Sequence, residues 1–212
     1  MLAQQHGLGV SASTIHRYLL RQGLVRPSQK RRRPRFQNGQ VMRPRNCPGL
    51  GYLQMDVKYV TPELSGLPYT CYLYAALDIA TRYKVGLILP KVYEEGALLA
   101  LYHAIQAFPF PVQYVQTDNG LEFQQRFHAK CEELGLEHFY IHKSSPNDNA
   151  VIERSFRTDE EEFFFWLETA PQDHLELNTW YQRFLESYNT VRPHMGINML
   201  TPRKALDLYQ KS

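Results

Sequence analysis

Three acidic residues of the 212-residue chain stand where carboxylates could act together: Asp56, Asp118 and Glu153. Asp56 interrupts an alternating apolar stretch, and a charge inside such a strand is usually paired or functional. Asp118 follows the run Val115-Gln116-Thr117, at the kind of strand end where α/β sheets hold their ligands. Glu153 comes 35 residues later, in the first turns of a helical pattern. Three converging carboxylates are hard oxygen donors suited to Mg²⁺, with Mn²⁺ as a substitute. Two such ions, about 3.5–4 Å apart, stabilise both the attacking and the departing oxygen of a phosphoryl transfer. Without cations the three charges repel and raise one another's pKa. Plainer readings stand beside this one. Asp118-Asn119-Gly120 is also a turn sequence, and Glu153 alone reads as a solvated helix residue.

Convergence demands particular elements. Leu53, Met55, Val57 and Tyr59 alternate with Gln54, Asp56, Lys58 and Val60, which predicts a strand with Asp56 facing away from Leu53, Met55 and Val57. After a turn at Gly66-Leu67-Pro68, residues 72–79 and 83–89 read as two more strands. Helical spacing covers 94–107, a fourth strand 112–117, a helix about 121–134, a short strand 137–141 and a long helix about 148–167. Phe163-Phe164-Phe165-Trp166 would continue that helix as core or partner interface rather than as a nucleic-acid stacking platform, and Trp180, Phe184, Leu185 and Tyr188 form a packing stripe on a C-terminal helix. Strands followed by alternating helices and strands predict an α/β sheet flanked by helices. The order β-β-β-α-β-α-β-α resembles the ribonuclease-H-like fold, with a mixed sheet.

The charge is unevenly spread. Residues 1–50 carry ten Lys and Arg and no acid, leaving 14 basic against 21 acidic residues in the remainder. A basic segment on an acidic body suggests a nucleic-acid arm, although a disordered basic tail has the same composition. Ser11 to Leu20 reads as a short helix preceded by Gly7 and Gly9 and ended by Gly23. It is either half of a helix-turn-helix, with Arg17 reaching a major groove, or a simple capping helix. Residues 26–50 place four prolines among eight basic residues, including Arg31, Arg32 and Arg33, as an extended linker able to follow phosphates. The expected organisation is a partial helix-turn-helix-like segment (1–25), a basic Pro-rich linker (26–50), a catalytic core (51–170) and a C-terminal helical extension (171–212). No apolar run reaches membrane-spanning length and no signal pattern opens the chain. Cys47, Cys71 and Cys131 form no CxxC pair, which fits a reducing cytoplasm.

Met55-Asp56-Val57-Lys58, Gln116-Thr117-Asp118-Asn119-Gly120-Leu121-Glu122-Phe123 and Asn149-Ala150-Val151-Ile152-Glu153-Arg154-Ser155-Phe156-Arg157-Thr158 resemble the three blocks of the D,D(35)E integrase core. That core is shared by bacterial insertion-sequence transposases and retroviral integrases, and the resemblance runs from about Tyr52 to Pro202. Tyr188-Asn189, Arg192-Pro193-His194 and Thr201-Pro202 resemble the tail signature of the bacterial enzymes. The resemblance implies that Asp56, Asp118 and Glu153 are the metal ligands, with two ions held when DNA is bound and Asp56 bridging them. It implies cleavage at element ends and strand transfer, with a 3′-hydroxyl as nucleophile. The implied partners are double-stranded DNA, both element ends and target, and further copies of the chain on that DNA; no membrane is involved, and the compartment is a bacterial cytoplasm. Arg157, one turn beyond Glu153, is placed to reach a phosphate.

Asn119 would orient the scissile phosphate or merely shape its turn, and Lys143 with Ser144 and Ser145 would touch DNA or form ordinary loop. His142 reads as a loop residue. The acidic run from Asp159 to Glu162 departs from the basic character of this helix in retroviral integrases. Their N-terminal His-His-Cys-Cys zinc domain is not reproduced by His6, His16 and Cys47, so no zinc is expected. Two other readings stay open: a catalytically silent DNA-binding transposase remnant, and a ribonuclease-H-like nuclease that only hydrolyses.

Overall fold

The computed structural model describes residues 12–22, 49–142 and 146–211. The chain divides into two compact units, residues 1–35 and 36–212. In the first, α1 (Ala12–Arg21) matches the expected short helix, with Arg17 and Tyr18 exposed on it. Gly7, Gly9 and Gly23, the basic stretch with Arg31, Arg32 and Arg33, and the loop residues Lys143, Ser144 and Ser145 lie outside the described residues.

The second unit is built on one mixed sheet in the order β3-β2-β1-β4-β5. Strands β1 (Tyr52–Val60), β2 (Cys71–Asp78) and β3 (Lys84–Leu89) pair antiparallel. Strand β4 (Tyr114–Thr117) runs parallel to β1, and β5 (Glu137–Tyr140) parallel to β4. The helices are α2 (Pro62–Ser65), α3 (Glu94–Ala107), α4 (Gln125–Glu133), α5 (Ala150–Glu162), α6 (His174–Thr190) and α7 (Pro202–Tyr209). A mixed sheet flanked by helices is thus the architecture found. Gly51 sets the start of β1. Its φ of +87° suits only glycine, and a Cβ there would stand 2.4 Å from the Pro111 carbonyl oxygen.

The two-residue period of the strands divides the core. Leu53, Met55, Tyr74, Ala76 and Val85 pack with Ala97, Leu101 and Ala104 of α3 and Leu206 of α7. Leu73, Ala75, Leu77 and Ile88 face the other way, onto Ile152 and Phe156 of α5 and Leu177, Tyr181 and Leu185 of α6. Helices on both faces explain why the central strands are apolar on both sides.

Sheet edges expose unpaired backbone groups, and α6 covers the β3 edge with side chains. Asn178 Oδ1 accepts from Ile88 N at 2.9 Å, and Gln182 Nε2 donates to Gly86 O at 2.9 Å. Asn189 both accepts from Lys84 N and donates to Lys84 O, at 2.9 and 2.8 Å. The asparagine of the tail signature therefore stands in for a neighbouring strand.

Two elements differ from expectation. The helix expected over 148–167 ends at Glu162 and gives way to a 3₁₀ turn, Phe164–Trp166. Phe163 and Phe164 both turn onto Tyr181, and aiming two consecutive rings at one cluster breaks helical register. Phe165 and Trp166 are left 66% and 76% exposed, so this quartet is only half core. The helix expected from 121 begins as a 3₁₀ turn, Leu121–Phe123, and α4 starts only at Gln125. The Gln124 side chain is spent on the Asn119 and Gly120 carbonyls, which holds the preceding loop instead.

Candidate active site

The site forms where β4 ends beside the middle of β1, beneath the start of α5. Their parallel register sets Gln54 beside Gln116 and Met55 beside Thr117. One residue further, Asp56 of β1 and Asp118, the residue after β4, come close enough for the Asp118 charge to act on Asp56. Burial is the largest of several influences that push the Asp56 carboxyl from 3.8 up to about 7. The charges of Asp118, Glu153 and Glu122 add to the rise, while the Val57 N–H, donating to Asp56 Oδ1 at 2.8 Å, opposes it. Four carboxylates therefore share one field. Glu153 sits exposed in the first turn of α5.

What holds α5 over the strands is a pair of glutamines, one on each, two residues before each aspartate. Gln54 Nε2 and Gln116 Nε2 both donate to the Asp148 carbonyl, at 2.8 and 2.6 Å. Gln54 Oε1 accepts from Ile152 N at 3.0 Å, and Gln116 Oε1 accepts from the Tyr52 hydroxyl at 3.1 Å. The Asp148 carboxylate accepts from the His142 backbone N–H and lies 2.8 Å from His142 Nδ1. A side chain two residues from an aspartate shares its face of the strand, so the same period that aims the acids aims their clamps.

Gly120 makes room for the acids. A Cβ there would stand 2.8 Å from the Glu122 carboxylate and 2.9 Å from Asp118 Oδ1, which accepts from Gly120 N at 2.8 Å. Burial is the main cause raising the Glu122 carboxyl, and Asp118 adds to it. Sequence reasoning passed over Glu122, Gln54, Gln116, Asp148 and Asn149. The spacing of a glutamine two before each aspartate was the signal available.

Other expected residues are placed as follows. Asn119 Nδ2 donates to the Ile141 carbonyl at 3.2 Å, tying the ends of β4 and β5 together. Arg157 is exposed on the Glu153 side of α5, its Nε donating to Glu161 at 2.6 Å. The acidic run is paired throughout: Asp159 with Lys84, Glu160 with Lys58, Glu161 with Arg157, and Glu162 with Arg192 through two contacts of 2.6 Å. These acids neutralise local bases rather than forming an exposed acidic strip.

Among the described residues no three His, Cys, Asp or Glu side chains close on one point as a finished metal cage does. The donor set nonetheless suits a hard cation: carboxylates, one of them partly buried, its pKa raised to about 7 first by desolvation and then by its acidic neighbours. A divalent cation would remove that repulsion. Among the described residues no helix is long and apolar enough to cross a membrane.

Comparisons with known proteins agree with this arrangement. Two models of the integrase core domain match residues 49–146 and 134–202, together more than two thirds of the chain. A candidate integrase, ORF3 of Spiroplasma virus SpV1-C74, is 26% identical over 170 residues, covering 72% of this chain and 46% of its own length. The transposase for insertion sequence element IS904 of Lactococcus lactis is 25% identical over 155 residues, covering 70% and 58%. The chain thus spans about half the length of these curated relatives. Among solved structures, the catalytic core domain of BIV integrase superposes with a TM-score of 0.58 at 19% identity, covering 77% of this chain and 95% of that one. The HTLV-2 integrase catalytic core domain, solved in complex with magnesium, gives 0.59 at 18% identity, covering 74% and 97%. At such identities the superpositions speak for the fold, which is the ribonuclease-H-like one. Matched by one model across the sheet and the paired aspartates and by the other across the helix clamped above them, the chain belongs to the integrase core family.

Proposed function

We propose that this chain is the catalytic core of a DNA transposase that cuts and rejoins strands at the ends of a mobile element. The carrying observation is the register of β1 and β4, which sets Asp56 beside Asp118 beneath the helix bearing Glu153. Resemblance to an insertion-sequence transposase and to integrases supports DNA, element ends and target alike, as the substrate. Asp56, Asp118 and Glu153 would hold two divalent cations, Mg²⁺ or Mn²⁺. Bound cations supply Lewis-acid stabilisation of the charge growing on the attacking and departing oxygens. The protein's own residues position and compensate. Asp56 holds its proton below about pH 7, so its use as a cation ligand would be favoured as pH rises. The glutamine clamp fixes α5 so that Glu153 needs no reorganisation on loading.

Arg157 can exchange Glu161 for a DNA phosphate, which its planar guanidinium grips at two points. Asn119, Lys143, Arg17 and the Arg31-Arg32-Arg33 cluster are the further DNA contacts of this reading, with the basic N-terminal fifty residues tracking phosphates. Pairing of two element ends calls for more than one copy of the chain on DNA.

The test is Asp118→Asn, incubated with labelled element-end duplex, target plasmid and Mg²⁺ or Mn²⁺. The wild-type chain should nick and join the ends, and the variant should do neither while keeping its circular dichroism spectrum. Undiminished products from the variant would remove Asp118 from the chemistry. Nicked but unjoined products from the wild type would favour a hydrolytic nuclease, and a gel shift without either product a silent DNA-binding protein.

A further inference from the structure

Asn149 occupies the N-cap of α5, where an asparagine side chain ordinarily accepts hydrogen bonds from the first helical N–H groups. Here it makes no such bond. Its Nδ2 instead donates to Asp56 Oδ2 at 3.1 Å, across 93 residues of sequence. The same residue's backbone carbonyl accepts from Glu153 N at 3.1 Å. One asparagine therefore ties the aspartate of β1 to the glutamate of α5. The side chain is 1% exposed, and its Oδ1 is buried with no hydrogen-bond partner. Exchanging the amide's two ends gives no relief in a cation site, because an oxygen would then face the ionised Asp56 carboxylate. A buried acceptor beside a carboxylate cluster is an incomplete arrangement that a donor would complete.

We propose that Asn149 is a positioning residue of the cation site, holding Asp56 through Nδ2 and accepting through Oδ1 from a water carried by a divalent cation. This rests on the reading of Asp56, Asp118 and Glu153 as the ligands. Magnesium and its substitute Mn²⁺ keep several waters when bound, so a hydrated ion brings the missing donor. Outer residues that orient ligands in this way typically contribute about 10- to 100-fold to metal affinity.

Titration calorimetry of the full chain with Mn²⁺ alone tests the assignment, with circular dichroism melting of each apo protein alongside. Asn149→Leu keeps the volume and removes both hydrogen bonds, and Asn149→Ala is the second variant should leucine not fold. Wild type should bind Mn²⁺, Asp118→Asn should lose binding, and either Asn149 variant should bind about tenfold more weakly. The Mn²⁺-induced rise in melting temperature should shrink in step. Wild-type Mn²⁺ affinity in folded Asn149 variants, with or without a lower apo melting temperature, would overturn the proposal and leave the three-carboxylate reading intact. Absence of Mn²⁺ binding by wild type would overturn both.

Discussion

Lys84 and Asp159 meet at 2.5 Å with both side chains fully buried, and they join β3 to the helix that carries Glu153. Burial drives the lysine's pKa down and the aspartate's up, and each is countered by the other's charge. The rings of Phe156 and Tyr188 face the ammonium at 5.2 and 5.6 Å and soften its loss of water. Such a pair is costly to break and of little net benefit to keep. Lys84→Ala should therefore lower the unfolding free energy in urea by about 3–5 kcal/mol, because it strands a buried carboxylate. Lys84→Met combined with Asp159→Leu should recover most of that loss. If the double variant is no more stable than the single one, the lost energy is packing and not a stranded charge.

Helix α5 is aimed by polar bonds at one end and by packing along its length. Ile152 and Phe156 bury against β1 and β2, while the Asp148 carbonyl takes both glutamine amides. Gln116→Leu removes one amide and leaves the Tyr52 hydroxyl without that acceptor. The stability cost should be about 1–2 kcal/mol, the scale of one or two hydrogen bonds. Under the proposed function, nicking of element-end DNA should fall much further, by about 100-fold, because a small misplacement of the helix bearing Glu153 would be multiplied in the rate. Single-turnover rates at saturating Mn²⁺, measured beside urea unfolding, separate the two effects. A nicking rate within twofold of wild type would mean that packing alone aims the helix.

At the scale of the folded protein, buried ionisable groups tilt stability with pH in opposite directions. Burial, helped by neighbouring His128, pushes His138 from 6.5 down to about 3, and its Nε2 lies 2.9 Å from Thr117 Oγ1 beneath the end of β4. A depressed folded pKa means that the stability from neutral His138 is complete above pH 6.5 and is lost as pH falls toward 3. Asp56 does the reverse in the cation-free protein. Its raised pKa favours the fold below 3.8 and withdraws that support as pH rises through about 7. The contribution of His138 is isolated by comparing wild type with His138→Gln in urea at several pH values, since Asp56 is common to both. The wild type should lose on the order of 3 kcal/mol relative to the variant between pH 7 and pH 4. A difference independent of pH would place the histidine's proton elsewhere.

Much of this protein is legible in residue order because local periods carry it. The alternation around Asp56, the helical spacing over Glu94–Ala107 and the short strands before Asp118 and at Glu137–Tyr140 follow from side chains seeking one face or another. The 35-residue interval from Asp118 to Glu153 singles out the carboxylates only through the resemblance of the three sequence blocks to the integrase core. Four features rest on contacts between distant segments, which no local period reports. The helix stops at Glu162 because Phe163 and Phe164 both seek Tyr181. The acids at Asp159–Glu162 find bases on β1, β3, α5 and the segment after α6. The tail asparagine, Asn189, serves as a strand for the β3 edge. Asn149 reaches Asp56 only once β1 and α5 have been brought together. Residue types and spacing suggest which side chains could act as ligands, since ligand character is a property of side chains. Which neighbours hold those side chains was decided by the fold, because a hydrogen bond depends on distance in space and not on distance along the chain.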